Sequence, residues 1–202
     1  VLDVSATTST LTGAGTVAIA EGATLTLNTT TGNPQFHGTL SGPGALVKSG
    51  AGEVLLTGNN SGLTGAITLN GGMISVQNPI SSLGSGDITV TDNATIGAYS
   101  GSGFSAGRVN NRITVTSGTL TLGRNGTTTL GGDVVATGQG SILVGGGGTT
   151  VLERDLFNHG AGTLSLSGGT TLQVGGGGAT GALRANLSLT GNLVFNRSDN
   201  IT

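Results

Sequence analysis

The sequence predicts an all-β fold, a parallel β-solenoid with three short strands per coil, and three observations support this prediction. Apolar residues alternate with Thr or Ser in short runs, as in strands that have one face in a core and one in water. Glycine, with 41 copies among 202 residues, separates these runs, and aromatic residues make up only 2%. Similar runs recur with a period close to 22 residues, which is typical of repeats that stack on themselves.

Three interleaved series of apolar residues define the predicted coils. Each series would mark one face of a triangular coil, and each strand would pair in parallel with its equivalent about 4.8 Å along the axis. At this period the chain would form about nine coils. The series are Leu120, Ile142, Leu164 and Leu187; then Leu130, Leu152, Leu172 and Val194; then Ile67, Ile88, Ile113, Val134 and Leu156. An antiparallel sandwich also suits short strands, but the sustained period and the small core residues favour the solenoid.

Two stretches interrupt the pattern and are predicted to be loops that leave the solenoid. Residues 97–111 combine small residues with Tyr99, Phe104 and Arg108, and residues 153–159 are the most charged stretch of the chain. Elsewhere, Gly and Asn cluster between the strand-like runs, where tight corners require positive φ. We therefore expect a single β-helical segment over residues 1–202 with two possible loops.

Composition excludes several classes of protein. Charged residues are 8% of the chain, the net charge is −2, and no run of Lys or Arg could bind nucleic acid. Three prolines without a three-residue glycine period exclude collagen. No apolar run is long enough to span a bilayer as a helix, and no Cys is present to form disulfides. A start at Val1 and an end within a strand pattern predict a piece of a longer chain.

Residues 42–76 carry a more specific pattern of glycines around a single lysine. It reads Gly-x-Gly-x-Leu-x-Lys-x-Gly-x-Gly-x-Val-x-Leu-x-Gly-x-Asn, followed by two strands with glycines between them. The residues that fill the pattern are Gly42, Gly44, Leu46, Lys48, Gly50, Gly52, Val54, Leu56, Gly58 and Asn60. This segment resembles the autotransporter-associated β-strand repeat, or passenger-associated repeat, of bacterial type V secreted proteins. Leu63 departs from that family, which has Tyr or Phe at this position.

The resemblance implies a right-handed parallel β-helix at the surface of a Gram-negative bacterium, with an outer-membrane barrel in a C-terminal part of the longer chain. It implies an adhesive or stalk role, with a host glycan, a matrix protein or another copy of the chain as partner. The motif residues would then be structural. Two alternatives stay open: a self-assembling filament or surface-layer subunit, and a carbohydrate-active β-helix that acts as a lyase or glycosidase.

The carbohydrate-active alternative depends on a small set of residues. Glycoside hydrolysis commonly requires two carboxylates on either side of the scissile bond. Asp133 and Asp155 are one period apart and would stack, with Arg154 and His159 nearby, which makes them the best candidates for an active site. A solvated turn with local ion pairing explains the same residues and is favoured.

Cofactor and metal sites have little support in the sequence. The two histidines, His37 and His159, are more than five predicted coils apart, so they would not share a metal. The runs Gly145–Gly148 and Gly175–Gly178 lack the following Gly-Lys-Ser/Thr of a phosphate-binding loop and the Asp of a calcium-binding repeat. We therefore expect no catalytic residue, no cofactor and no metal.

Overall fold

The computed structural model describes residues 1–77, 83–99 and 106–199. All regular elements in these ranges are strands, 24 in number. They are β1 (Ala6–Thr8), β2 (Thr16–Ala18), β3 (Thr24–Asn28), β4 (Gln35–Phe36), β5 (Thr39–Ser41), β6 (Ala45–Ser49), β7 (Glu53–Leu56), β8 (Ile67–Leu69), β9 (Gly72–Val76), β10 (Ile88–Val90), β11 (Ala94–Ala98), β12 (Ala106–Val109), β13 (Ile113–Val115), β14 (Thr119–Leu122), β15 (Thr127–Leu130), β16 (Val134–Ala136), β17 (Ser141–Val144), β18 (Thr149–Leu152), β19 (Leu156–Asn158), β20 (Leu164–Leu166), β21 (Thr171–Val174), β22 (Leu183–Arg184), β23 (Leu187–Leu189) and β24 (Asn192–Phe195).

The strands stack into long parallel sheets that form the faces of a β-solenoid with about 8 turns of roughly 22 residues. A nine-stranded sheet has the order β1-β3-β6-β8-β10-β13-β16-β19-β22, and an eight-stranded sheet has the order β23-β20-β17-β14-β11-β9-β7-β4. The third face is a two-stranded sheet, β2-β5, near the N-terminus and a five-stranded sheet, β12-β15-β18-β21-β24, in the C-terminal half. The predicted fold class is confirmed.

Two of the three predicted series lie in register. Ile67, Ile88 and Ile113 are successive partners in the nine-stranded sheet, and Val134 and Leu156 continue the same row. The series that begins at Leu120 forms an equivalent row in the eight-stranded sheet. Their side chains point inward, so successive coils contribute identical or similar residues to a continuous core.

The second predicted series is wrong beyond its first two members. Leu152 pairs with Val174, whereas Leu172 pairs with Thr150 and Val194 pairs with Gln173. Leu172 and Val174 are both buried on the same side of β21, because side chains repeat every two residues along a strand. The alternation alone could therefore not select between them. Val194 faces outward, since a shift of one residue reverses the face.

The core consists of Leu, Ile and Val side chains at the inward positions of each strand. In β14 the apolar residues Leu120 and Leu122 are fully buried, while Thr121 between them is partly exposed. Burying one such aliphatic side chain contributes roughly 1.5–3 kcal/mol. Because the inward row is only two residues wide on each strand, the core is thin and has little room for aromatic rings.

Both predicted loops contain strands in their described residues, and for 153–159 this corrects the expectation of a loop that leaves the solenoid, whereas residues 100–105 of the first loop lie outside the described residues. Within 97–111, β11 extends to Ala98 and residues 106–109 form β12, while Phe104 lies outside the described residues. Within 153–159, residues 156–158 form β19 of the nine-stranded sheet. Charged residues occupy outward positions in these short strands, and few residues point inward. The apolar alternation that predicts a strand was therefore too weak to recognise in the sequence.

Candidate binding surface

The lysine of the glycine motif lies inside the solenoid. Lys48 in β6 is fully buried and stacks between Leu27 and Leu69 of the neighbouring coils. Its Nζ donates hydrogen bonds to the carbonyl oxygens of Ser49 at 2.6 Å and of Gly50 at 2.8 Å, and to that of Gly71 at 3.4 Å. Lys48 therefore joins the corner of its own coil to the corner of the next one.

Burial also changes the acidity of this lysine. Removal from water disfavours the charged ammonium and lowers the pKa of Lys48 from 10.5 to about 8. Its neighbours in the sheet are aliphatic, and carbonyl oxygens accept all three hydrogen bonds. The lysine thus acts as a hydrogen-bond donor for backbone carbonyls at two corners.

The motif glycines stand where successive coils approach most closely. Gly44, Gly65 and Gly86 form a column, and a Cβ on Gly65 or Gly86 would overlap the carbonyl oxygen of the glycine one coil before it. Gly50 has a φ of 72° at the corner that Lys48 closes, a conformation that favours glycine. These contacts explain the glycine pattern without any ligand.

Asn60 at the end of the motif is also buried. Its Oδ1 accepts a hydrogen bond from the backbone N–H of Leu40 at 2.6 Å, and its Nδ2 donates to the carbonyl oxygen of Gly58 at 3.2 Å. Asn111 is buried too, and its Nδ2 donates to the carbonyl oxygens of Leu83 and Gly86. Both amides therefore hydrogen-bond to backbone groups of the preceding coil.

Asp133 and Asp155 stack as the sequence predicts, and their carboxylates accept hydrogen bonds from backbone N–H groups. Asp133 Oδ1 accepts a hydrogen bond from the N–H of Asp155 at 3.3 Å, and Asp155 Oδ1 accepts one from the N–H of Ala182 at 2.8 Å. Each carboxylate therefore caps the start of the next coil's strand.

Arg154, the third residue of this candidate active site, lines a cleft on the surface. The cleft has a volume of about 300 Å³, and neither aspartate contributes to its lining, which also includes Glu153, Gly176, Gly178 and Thr180. This cleft therefore contains one member of the candidate active site, and the carbohydrate-active alternative requires all three in one cleft.

The two histidines occupy separate parts of the molecule. His37 follows β4, and its Nδ1 lies 2.8 Å from the hydroxyl of Thr57. His159 follows β19, and its ring stacks on that of Phe157. Among residues 1–77, 83–99 and 106–199, no three His, Cys, Asp or Glu side chains are grouped as they would be around a metal ion.

Arginine side chains bridge coils on the outer surface, and the sequence did not reveal these contacts. Arg108 of β12 reaches Glu153, two coils away, and its Nη1 lies 2.9 Å from Oε1 of that residue. Hydrogen bonding from Arg108 lowers the pKa of the Glu153 carboxyl. Arg124 contacts Glu53 and donates to the Ser75 hydroxyl at 3.0 Å, while its guanidinium lies over the Tyr99 ring.

The outer side of the nine-stranded sheet, the sheet with the most strands among the described residues, forms a regular surface. The central outward positions from β1 to β16 form one row in register and contain only Thr and Val; we call this row the threonine face. Its members are Thr7, Thr26, Val47, Thr68, Thr89, Thr114 and Val135. The threonine face presents hydroxyl and methyl groups at the strand spacing, about 4.8 Å, with no charge in the row.

Comparison with known proteins adds no relative. The chain matches no protein-family model, no curated protein and no solved structure. In the part of the chain that the structure describes, no helix is long and apolar enough to cross a membrane. A functional assignment therefore rests on the residues and their geometry.

Proposed function

We propose that this chain is an extracellular segment of a Gram-negative autotransporter passenger, where it serves adhesion or structural display. The threonine face is the observation that carries the proposal. A long and uncharged row of hydroxyl and methyl groups suits contact with a repetitive surface. The rest of the longer chain would supply the outer-membrane barrel that the motif of residues 42–60 implies.

The architecture supports this role through its dimensions. About 8 turns at the spacing of neighbouring strands give a rod roughly 40 Å long. Each coil repeats the same outward positions, so many weak contacts along one face would add to a useful affinity. The buried motif residues Lys48 and Asn60 serve the rod itself and leave the exterior free to vary.

Surface labelling tests the proposal directly. Antibodies raised against this chain should label intact cells that produce the protein, and protease added outside the cells should remove the label. A cytoplasmic protein of the same cells should stay unlabelled and intact. Labelling that appears only after the cells are broken would overturn the proposal.

Self-assembly is a second candidate, and it rests on the C-terminal end of the rod. Leu189 and Phe195 continue the inward rows of Leu166 and Val174, yet they are 46% and 48% exposed among the described residues. The outer edges of β22, β23 and β24 also carry unpaired backbone groups. Concentration-dependent rods in negative-stain micrographs would support association through this end, and a monomer at all concentrations would contradict it.

A further inference from the structure

The outward row of the nine-stranded sheet changes character after Val135. The first seven positions of this row are Thr or Val. The next two positions in register are Phe157 of β19 and Arg184 of β22. Aromatic residues are only 2% of the chain, so a ring at an outward position is unusual for this molecule. An interior packing role cannot account for it, since the ring lies on the outer side of the sheet and is only partly buried.

Three side chains meet at this point, and we call them the aromatic patch: Phe157, His159 and Arg184. The ring centroids of Phe157 and His159 are 5.5 Å apart, and the ring planes differ by 15°. The guanidinium carbon of Arg184 lies over the Phe157 ring, 5.6 Å from its centroid. His159 and Arg184 are exposed, so the patch presents nearly parallel rings with a cation at one side.

Among the described residues, no carboxylate pairs with the charge of Arg184. Within the described residues, Arg108, Arg124 and Arg197 each form an ion pair with a carboxylate, and Arg184 does not. The nearest acidic positions in the same sheet belong to Asp133 and Asp155, and these carboxylates accept backbone hydrogen bonds. A guanidinium held against an aromatic ring keeps all its N–H donors for an incoming anion.

We propose that the aromatic patch binds a uronate unit of an acidic polysaccharide. The C–H face of a pyranose ring would lie on the exposed ring of His159, which stacks on Phe157, and burial of this apolar area would favour binding. The sugar carboxylate would accept paired hydrogen bonds from Arg184, because the planar guanidinium matches a planar carboxylate. This inference rests on the proposed extracellular role and specifies the class of ligand that such a surface would hold.

Binding of oligogalacturonate to the purified chain, measured by isothermal titration calorimetry, tests the inference. Arg184→Gln removes the cation, and Phe157→Thr restores the residue type of the threonine face. Each should weaken binding by about tenfold or more, since a charge-assisted hydrogen bond or a stacked ring commonly contributes that much. Binding should also weaken as salt is added, because the contact includes an exposed charge.

Arg112→Gln is the matched control, because Arg112 is an exposed arginine that immediately precedes β13 of the same sheet. It should leave the affinity within about twofold of the unsubstituted chain. Unchanged affinity in Arg184→Gln, equal loss in Arg112→Gln, equal binding of neutral galactan, or no binding by the unsubstituted chain would each overturn the inference. Phe157→Leu, which keeps an apolar side chain, separates the loss of the ring from any loss of folding.

The two proposals fail in different ways. Absence of oligogalacturonate binding would overturn the proposal that the aromatic patch binds a uronate, and it would leave the surface-labelling result unchanged. Labelling confined to broken cells would overturn the extracellular role even if the purified chain bound the sugar.

Discussion

At the residue scale, the glycine motif encodes the corners of the rod. Lys48 supplies hydrogen-bond donors to three carbonyl oxygens, and Gly44 and Gly65 allow neighbouring coils to approach. A lysine in this role is unusual, because burial of an ammonium without a carboxylate costs free energy. Carbonyl oxygens converging from two corners offset part of that cost, and no shorter side chain could reach both.

Lys48 makes the stability of the fold depend on pH in the alkaline range. Between about pH 8 and pH 10.5 the unfolded chain holds a proton that the folded chain has released. The unfolded state then binds more protons, so the free energy of unfolding should rise with pH, by roughly 1–3 kcal/mol over this window. Urea unfolding at pH 7.5 and pH 10 measures the change, and Lys48→Met should lose this contribution.

Lysine NMR provides an independent readout of the same prediction. Lys48 is the only lysine in the sequence, so a chain labelled with carbon-13 at lysine Cε gives a single lysine resonance. That resonance should titrate near pH 8 in the folded chain and near its ordinary value in urea. A folded-state midpoint at the ordinary lysine value would refute the prediction.

The glycine column makes a second prediction at this scale. Gly65→Ala places a methyl group against the carbonyl of Gly44, and the adjacent coils must separate to accept it. We expect a loss of about 1–3 kcal/mol in the free energy of unfolding, the usual cost of overpacking. Gly178→Ala is the control, because a Cβ there has open space, and it should change stability by less than about 0.5 kcal/mol. Equal thermal midpoints for the two variants would argue against the column.

At the element scale, each strand divides its residues between a core face and a solvent face. In β20, Leu164 and Leu166 are buried and Ser165 is partly exposed. The strand is three residues long, and its stability comes from the coils on both sides rather than from its own length.

Two neighbouring substitutions in β20 should therefore differ strongly. Leu164→Ala leaves a cavity between Ile142 and Leu187, and we expect a loss of about 2–5 kcal/mol in the free energy of unfolding. Ser165→Ala removes one outward hydroxyl and should change stability by less than about 0.5 kcal/mol. Thermal unfolding followed by circular dichroism distinguishes them, and similar midpoints would contradict the assigned faces.

Many of the strands and their pairing register could be predicted from the sequence, and the positions where the prediction failed have physical causes. The triplets at Ile88 and Ile113 each hold two apolar residues that flank one Thr, so their register was unambiguous. Leu172 and Val174 are both inward, so periodicity could not choose between them. Arg108 and Glu153 pair across two coils. To predict this pair from the sequence, one would need to know the length of every corner between the two residues.

At the scale of the whole molecule, the rod is a row of similar coils in which each contacts mainly its neighbours. Among the described residues, strands such as β14 and β17 pair on both sides, whereas β23 and β24 pair on one. The C-terminal strands accordingly expose Leu189 and Phe195, which occupy core positions. Stability should therefore vary along the axis.

Hydrogen exchange should reveal this gradient. Amides in β14 and β17, which have strands on both sides, should exchange much more slowly than those of β23, which is the edge of the same sheet. Mass spectrometry of peptic fragments after timed exposure to deuterated water measures the rates. Uniform protection along the eight-stranded sheet would show instead that the rod opens as one cooperative unit.

The parallel stacking of coils also has a mechanical consequence. A force that pulls the two ends of the chain apart loads the backbone hydrogen bonds between an end coil and its neighbour, a few at a time. The rod should therefore peel from its ends, and each coil of roughly 22 residues should release about 75 Å of extended chain. Under tension the rod would therefore unfold coil by coil, in steps of equal length.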